Sequence, residues 1–258
     1  MGPLLAFHRA VDRRWHIAGQ QVWAILRRVL DPRRVRRYLG AHPVRKLQLG
    51  TGPNPLAGWL NTDLRPDLYR EHRGKIVFLD ATKSFPFDDM TFDYVFSEHQ
   101  IEHISQRDAS AMARECFRVL CPGGRIRIAT PDLAAILRLH ANPLDGRQLH
   151  YIEFMMTRFL PDAQYGNPSC HVINLMFKGF GHRFIYDDQT LSALLSEAGF
   201  VEIVKFEPGE SGDPALRGLE AHGRAIGDED VNRLETMVIE GTRPAPTGSK
   251  RRLEATNR

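Results

Sequence analysis

The chain has 258 residues, 42% hydrophobic and 26% charged, which suits a soluble globular protein with a substantial core. No apolar run approaches the roughly 20 residues that span a bilayer, and the start of the chain lacks the continuous apolar stretch of a secretory signal. The net charge of +4 is local: residues 1–46 carry ten Arg and one Lys against two Asp, while the rest carry 24 basic and 29 acidic residues. The main body is therefore not marked as a nucleic-acid binder. Cys116, Cys121 and Cys170 form neither a CxxC pair nor an even set, which suits a reducing cytoplasm.

In chain order, residues 3–30 place Val11, Trp15, Ala18, Val22, Leu26 and Val29 on one helical face, with Arg9, Arg13, His16, Gln20 and Arg27 opposite. Two readings stand for this basic amphipathic helix. It lies against the main domain, or it rests on an anionic membrane surface as a peripheral contact on the inner face. Residues 1–44 are read as an N-terminal helical extension.

From residue 45 short apolar runs alternate with helical patterns. KLQLG, WLNTDL, KIVFLD, FDYVFS and GRIRIAT read as strands, followed near the end by FVEIVKF and ETMVIEG. Asp108–Leu120 reads as a helix with Ser105 or Asp108 as its cap and Pro122-Gly123-Gly124 as its stop, and Asp188–Ala198 as a helix closed by Gly199. Strand–helix alternation predicts a mostly parallel sheet with helices on both faces, an α/β fold over residues 45–241. Residues 141–186 read as an irregular insertion over one end of the sheet. The tail over residues 242–258 reads as disordered.

The first strand ends in GTGPNP. A strand followed by GxG brings backbone N–H groups to the carboxyl edge of a sheet, where such folds bind ligands. The third glycine of a dinucleotide loop is replaced by Pro55, and Asp63 arrives well before the spacing of a ribose-binding acid in that motif. No Gly-Lys-Ser/Thr follows, which removes the P-loop. What remains is a ligand with a ribose and no pyrophosphate.

LQLGTGPN, NTDL, FLDATKSFPFDDMTFDYVFSEHQIEHI and RVLCPGGRIRIATPD, in that order, resemble the motifs of the class I SAM-dependent methyltransferases. The form GxGxNxxxGWxNxD, with GHRFIYD and LEAHG later, is similar to a bacterial type 11-like group often associated with cell-surface polysaccharide synthesis. The resemblance implies a Rossmann-like fold with a seven-stranded sheet and S-adenosylmethionine as cofactor. It implies that Gly50, Thr51, Gly52 and Asn54 hold the methionine portion and Asp63 the ribose hydroxyls. Asp80 and Ala81 would meet the adenine, with Ser97 and Glu98 beside the transferred methyl. Gln48 stands where many relatives carry an acid.

His99-Gln100-Ile101-Glu102-His103 spells HxxEH, an inverted zinc-peptidase pattern. It directly follows a strand and no third ligand stands at a standard spacing, so no metal is expected. A hydroxyl acceptor needs a base, for which the sequence offers His99 with Glu98 and His103, the insertion histidines His171 and His182, and Glu220 with His222. His99 and His182 are the expected catalytic residues, with Arg183 and Tyr186 as substrate contacts. The expected acceptor is a small molecule or glycan, with no nucleic-acid partner. Two competing readings are a SAM-fold scaffold docked at the membrane through residues 3–30, and a dehydrogenase.

Overall fold

The structure, a computed structural model, describes residues 31–72, 74–163 and 165–245. The expected amphipathic helix over residues 3–30 and most of the expected tail lie outside the described residues. Among the described residues no helix is long and apolar enough to cross a membrane.

All seven expected strands form: β1 Lys46–Leu49, β2 Leu60–Asp63, β3 Ile76–Phe78, β4 Phe92–Glu98, β5 Leu120–Pro131, β6 Val201–Phe206 and β7 Thr236–Thr242. They make one sheet in the order β3-β2-β1-β4-β5-β7-β6. β7 runs antiparallel between β5 and β6, while β1 to β5 pair in parallel. The mostly parallel Rossmann-like sheet is thus the one expected. β4 is central and reads FDYVFSE because it is covered on both faces. Val95 joins the main core, whereas Tyr94 and Phe96 pack on the opposite side with Trp59 and Leu216.

Residues 31–41 form helix α1. Asp31 accepts a hydrogen bond from the Phe78 N–H at 3.1 Å, and the Tyr38 hydroxyl lies 2.9 Å from the Lys46 carbonyl. Residues at this end of the N-terminal segment are therefore fastened to β1 and β3. Helix α2, Gln106–Val119, buries Ala109, Met112, Ala113, Cys116 and Val119, the spacing of one helical stripe. Its cap is Ser105, the first of the two candidates, which accepts from the Asp108 N–H. The helix stops at Val119 because Leu120 already pairs with Phe92, so the Pro-Gly-Gly triplet is a bend inside β5 rather than the stop. A Cβ at Gly124 would stand 2.9 Å from the Asp93 carbonyl oxygen, which explains that glycine.

The insertion departs from its expected irregularity. It holds helices α4, Gly146–Phe159, and α5, Pro168–Lys178, after a short α3, Leu133–Arg138. The reasons are local: Asp145 and Gln148 form a capping box, and Asn167 caps α5 with Pro168 at its first turn. Helix α6, Asp188–Glu197, matches expectation; α7, His222–Ile226, and α8, Glu229–Glu235, are additions to it. Helices α3, α4, α5 and α8 share a second core of Ile136, Tyr151, Met155, Val172, Met176 and Val231. At the other end β7 includes Thr242, and Arg243 donates from Nη1 to the Leu120 carbonyl at 2.6 Å, so residues 242 and 243 belong to the domain.

Candidate active site

Strands β1 and β4 end side by side, and the loop after β1 turns sharply. Gly50 and Gly52 have φ of 60° and 56°, a left-handed conformation that L side chains rarely adopt. A Cβ at Gly50 would collide with Cγ of Gln100, so glycine is also required for room. The Thr51 N–H donates to the Thr62 carbonyl at 3.0 Å, tying the loop to β2, while its buried hydroxyl has no hydrogen-bond partner among the described residues. Gln48 is 2% exposed; its amide donates to the Asn54 carbonyl and accepts from the Leu56 N–H, both at 3.2 Å. A carboxylate can only accept. The glutamine therefore has a structural reason here, as the knot that closes the loop.

The two expected acids lie along the same carboxyl edge. Asp63 accepts from the Gly52 N–H at 2.9 Å and the Arg65 N–H at 2.7 Å, one on each oxygen, which leaves further lone pairs on both. Asp80 accepts from the Thr82 N–H and hydroxyl, and Ala81 beside it is buried. Ser97 is buried at the end of β4, its hydroxyl 3.4 Å from the Gln100 side-chain oxygen. Glu98 accepts from the Ala221 and His222 N–H groups, each at 2.9 Å, and so clamps the start of α7 against β4.

A cavity of about 320 Å³ opens between this loop and the helical cap. Gly50, Thr51, Gly52, Asn54 and Glu98 line its loop side; Asp63, Asp80, Ala81 and Ser97 stand outside its lining. Phe154, Met155, Phe159, Met176 and Phe180 form an apolar wall from α4, α5 and the segment after α5. The same cavity is lined by a histidine–glutamate cluster of His99, Glu102, His103, His182, His222 and Glu235, which adjoins that wall where the His182 ring lies 5.8 Å from Phe180.

The HxxEH segment is not α-helical. His99 has φ of 45°, and only Ile101–His103 form a 3-10 turn. His99 Nδ1 lies 3.2 Å from Glu102 Oε1, Nε2 lies 3.1 Å from the Thr236 hydroxyl, and the ring stacks on His222 at 3.9 Å. Burial disfavours a charge on His99, but the Glu102 carboxylate beside it, with Glu235 and Glu98, outweighs that and lifts its pKa to about 9. His99 thus holds its proton at neutral pH, a poor state for a base. His182 differs: its Nδ1 sits on the Met176 carbonyl at 2.5 Å and burial pulls its pKa down.

Other expected contacts fall elsewhere. Glu220 is buried and paired with Arg127 Nε at 2.7 Å, so it belongs to the core while its neighbour His222 lines the cavity. Tyr186 is fully buried against Phe184 and cannot meet a substrate; Arg183 is exposed and gives its backbone N–H to the Glu102 carbonyl at 2.7 Å. His171 accompanies the Tyr165 carbonyl at 2.6 Å, outside the lining. Sequence reasoning missed Tyr151 and Glu235, joined by a 2.6 Å hydrogen bond, which become visible only once α4 and α8 are recognised as helices.

Comparisons with known proteins bear on the same region. Residues 57–128 match a family model described as a methyltransferase domain, from the end of the loop into β5. The malonyl-[acyl-carrier protein] O-methyltransferase of Methylococcus capsulatus is 30% identical over 129 residues, 43% of this chain and 46% of that protein. The chain therefore spans about half the length of the curated relative it matches. Among solved structures, a SAM-dependent methyltransferase of Archaeoglobus fulgidus aligns at 18% identity over 84% of this chain and 94% of that one, with a TM-score of 0.44. A SAM-dependent methyltransferase of Thermotoga maritima, described as a possible histamine N-methyltransferase, aligns at 15% identity over 88% and 95%, with a TM-score of 0.42.

Proposed function

We propose that the protein is a SAM-dependent methyltransferase that holds its donor on the Gly50–Asn54 loop and methylates an oxygen of an acceptor in the cavity beside it. The observation that carries this reading is the left-handed GTG turn, with its unpartnered Thr51 hydroxyl, opening onto the same cavity as the histidine cluster. Bound there, SAM supplies a methyl group already activated on a sulfonium. Gly50 and Gly52 let the backbone approach its methionine portion, and Thr51 and Asn54 offer polar contacts. Asp63 accepts from the ribose hydroxyls, Asp80 and the Ala81 N–H meet the adenine, and Ser97 and Glu98 stand beside the methyl.

With an activated donor the chain mainly aligns and excludes water, and fixing both partners is worth roughly 7–11 kcal/mol. The acceptor's proton leaves toward the Glu102, His103 and His182 group; His99, charged below about pH 9, orients that group instead. A cavity lined by both phenylalanines and histidines suits a hydroxylated ring, whose faces stack and whose hydroxyls hydrogen-bond. A saccharide or glycolipid precursor is the acceptor we favour. An acceptor on a membrane-bound carrier would also suit the basic amphipathic pattern that the sequence carries over residues 3–30.

Calorimetric titration with SAM tests the donor half: wild type binds, and Asp63→Ala loses at least about tenfold in affinity, the loss expected of charge-assisted hydrogen bonds. No heat from wild type, or unchanged binding in Asp63→Ala, ends the proposal. The acceptor half is tested by mass spectrometry of glycans and lipids from cells with and without the gene, where a difference of one methylene unit identifies the product.

A further inference from the structure

The histidine–glutamate cluster contains more than one base requires. Glu102, His103 and His182 each offer a ligand atom, and these atoms lie within 4.8 Å of one another. We infer that these three side chains hold a divalent transition-metal cation such as Zn²⁺, Mn²⁺ or Co²⁺. Two imidazoles and one carboxylate are the donor set of open metal sites, in which the remaining positions are left for water or substrate.

Three features mark the group as built for a cation. Glu102 is fully buried, and its Oε2 accepts from the Thr130 hydroxyl at 3.0 Å. Its Oε1 ends 3.2 Å from His99 Nδ1 and 3.9 Å from His103 Nε2 without a hydrogen bond of good geometry to either. His99 faces that oxygen at ion-pair distance only, so its lone pairs stay open to a cation. Second, a carbonyl only accepts, so His182 Nδ1 must donate to Met176, which leaves Nε2 with its lone pair. An outer carbonyl that fixes the tautomer in this way is the usual partner of a ligating histidine. Third, His182 is delivered by the backbone: the Arg183 and Phe184 N–H groups both donate to the Glu102 carbonyl, at 2.7 and 3.2 Å. The third ligand that no local spacing announced thus comes from a distant segment strapped onto the 3-10 turn.

A neighbouring trio, His99, His222 and Glu235, has similar spacing but is already satisfied. His99 Nε2 is taken by the Thr236 hydroxyl at 3.1 Å, and Glu235 by the Tyr151 hydroxyl at 2.6 Å and by His222 at 3.5 Å. The Glu102 trio is therefore the site. Tetrahedral ligands at the usual metal distance stand about 3.4 Å apart. The exposed ring of His103 has the freedom to close that gap. If the methyltransferase reading holds, the open position faces the acceptor, and a hydroxyl bound there would lose its proton more readily, to water in the cavity rather than to the three ligating side chains.

The test uses the full chain, stripped with a chelator and titrated separately with Zn²⁺, Mn²⁺ and Co²⁺. It is read by metal content after gel filtration and, for Co²⁺, by visible absorption. We expect about one equivalent per chain, with affinity lowered by at least about tenfold in His182→Gln and His103→Gln and retained in His222→Gln. Glu102→Gln should also lose the metal; because its burial puts folding at risk, the two more accessible histidines decide the outcome. Substoichiometric metal at saturation overturns the inference. So does loss in His222→Gln with retention in His182→Gln, which would move the cation to the neighbouring trio. SAM titration of the same samples separates the two proposals: metal binding without SAM binding would end the methyltransferase reading and leave the cation site standing.

Discussion

The carboxyl edge of the sheet and the helical cap over it are built in different ways. The edge is made by backbone: two left-handed glycines, a glutamine knot, and an aspartate that ties Gly52 to the end of β2. The cap side is made by side chains that meet across long stretches of sequence, His99 with Thr236, Tyr151 with Glu235, and His182 beside Glu102. A backbone-built site is written in consecutive residues and tolerates little substitution at its turns. A side-chain cluster leaves no contiguous signature, and any one of its members reads as an ordinary residue.

The joint between the two regions should show the largest effect. Arg127 on β5 is fully buried and pairs with Glu220 and Glu240 at 2.7 and 2.6 Å, and it also donates to the Glu210 carbonyl. Glu220 precedes the Ala221–His222 pair that Glu98 clamps. Removing one partner of a buried pair leaves charge uncompensated, so Arg127→Met should cost about 3–5 kcal/mol in chemical denaturation. A loss below about 1 kcal/mol would mean that the segment leading into α7 is held by packing alone.

This contrast explains what is legible in the sequence. The seven strands and α2 can be read because period and composition are local: FDYVFSE holds the apolar run Tyr94–Phe96 and α2 carries one unbroken stripe. Helices α4 and α5 are hidden among Pro143, Pro161 and Pro168, although the capping box at Asp145 is a local signal for the first of them. Glu220 reads as a candidate base only because nothing nearby in sequence announces Arg127. His182 can be singled out by its glycine-flanked setting, but its closeness to Glu102 depends on backbone pairing that only the fold reveals.

Acid should act on the sheet side of this comparison through Glu115, which lies on α2. The Arg118 guanidinium at 2.7 Å, opposed by partial burial and helped by the Phe85 N–H, holds its carboxyl down to about 2 from an ordinary 4.5. A depressed pKa contributes stability that is present above the unfolded value and is lost as pH falls through the folded one. Wild type should exceed Glu115→Gln by about 1–3 kcal/mol at pH 7, and the two should converge as pH drops from 4.5 toward 2. A gap that stays constant over that window would place the stabilisation in shape rather than charge.

At the glycine turn the two regions can be separated directly. Gly50→Ala places a Cβ against Gln100 at a φ of 60° and should cost about 1–2 kcal/mol. Its sharper consequence is functional: SAM titration should lose its heat while cation binding on the cap side is kept. Loss of both would show that edge and cap are one cooperative unit.

The smallest change tests why a glutamine closes the loop. Gln48→Glu keeps an acceptor for the Leu56 N–H but turns a second acceptor toward the Asn54 carbonyl at 3.2 Å. Two acceptors facing each other at a residue 2% exposed should cost about 1–2 kcal/mol and loosen the turn that carries Asn54. If the variant instead matched wild type in denaturation and bound SAM more tightly, the residue would face the donor rather than its own loop. The two outcomes differ in sign for affinity, so one calorimetric titration beside one melt decides which role Gln48 fills.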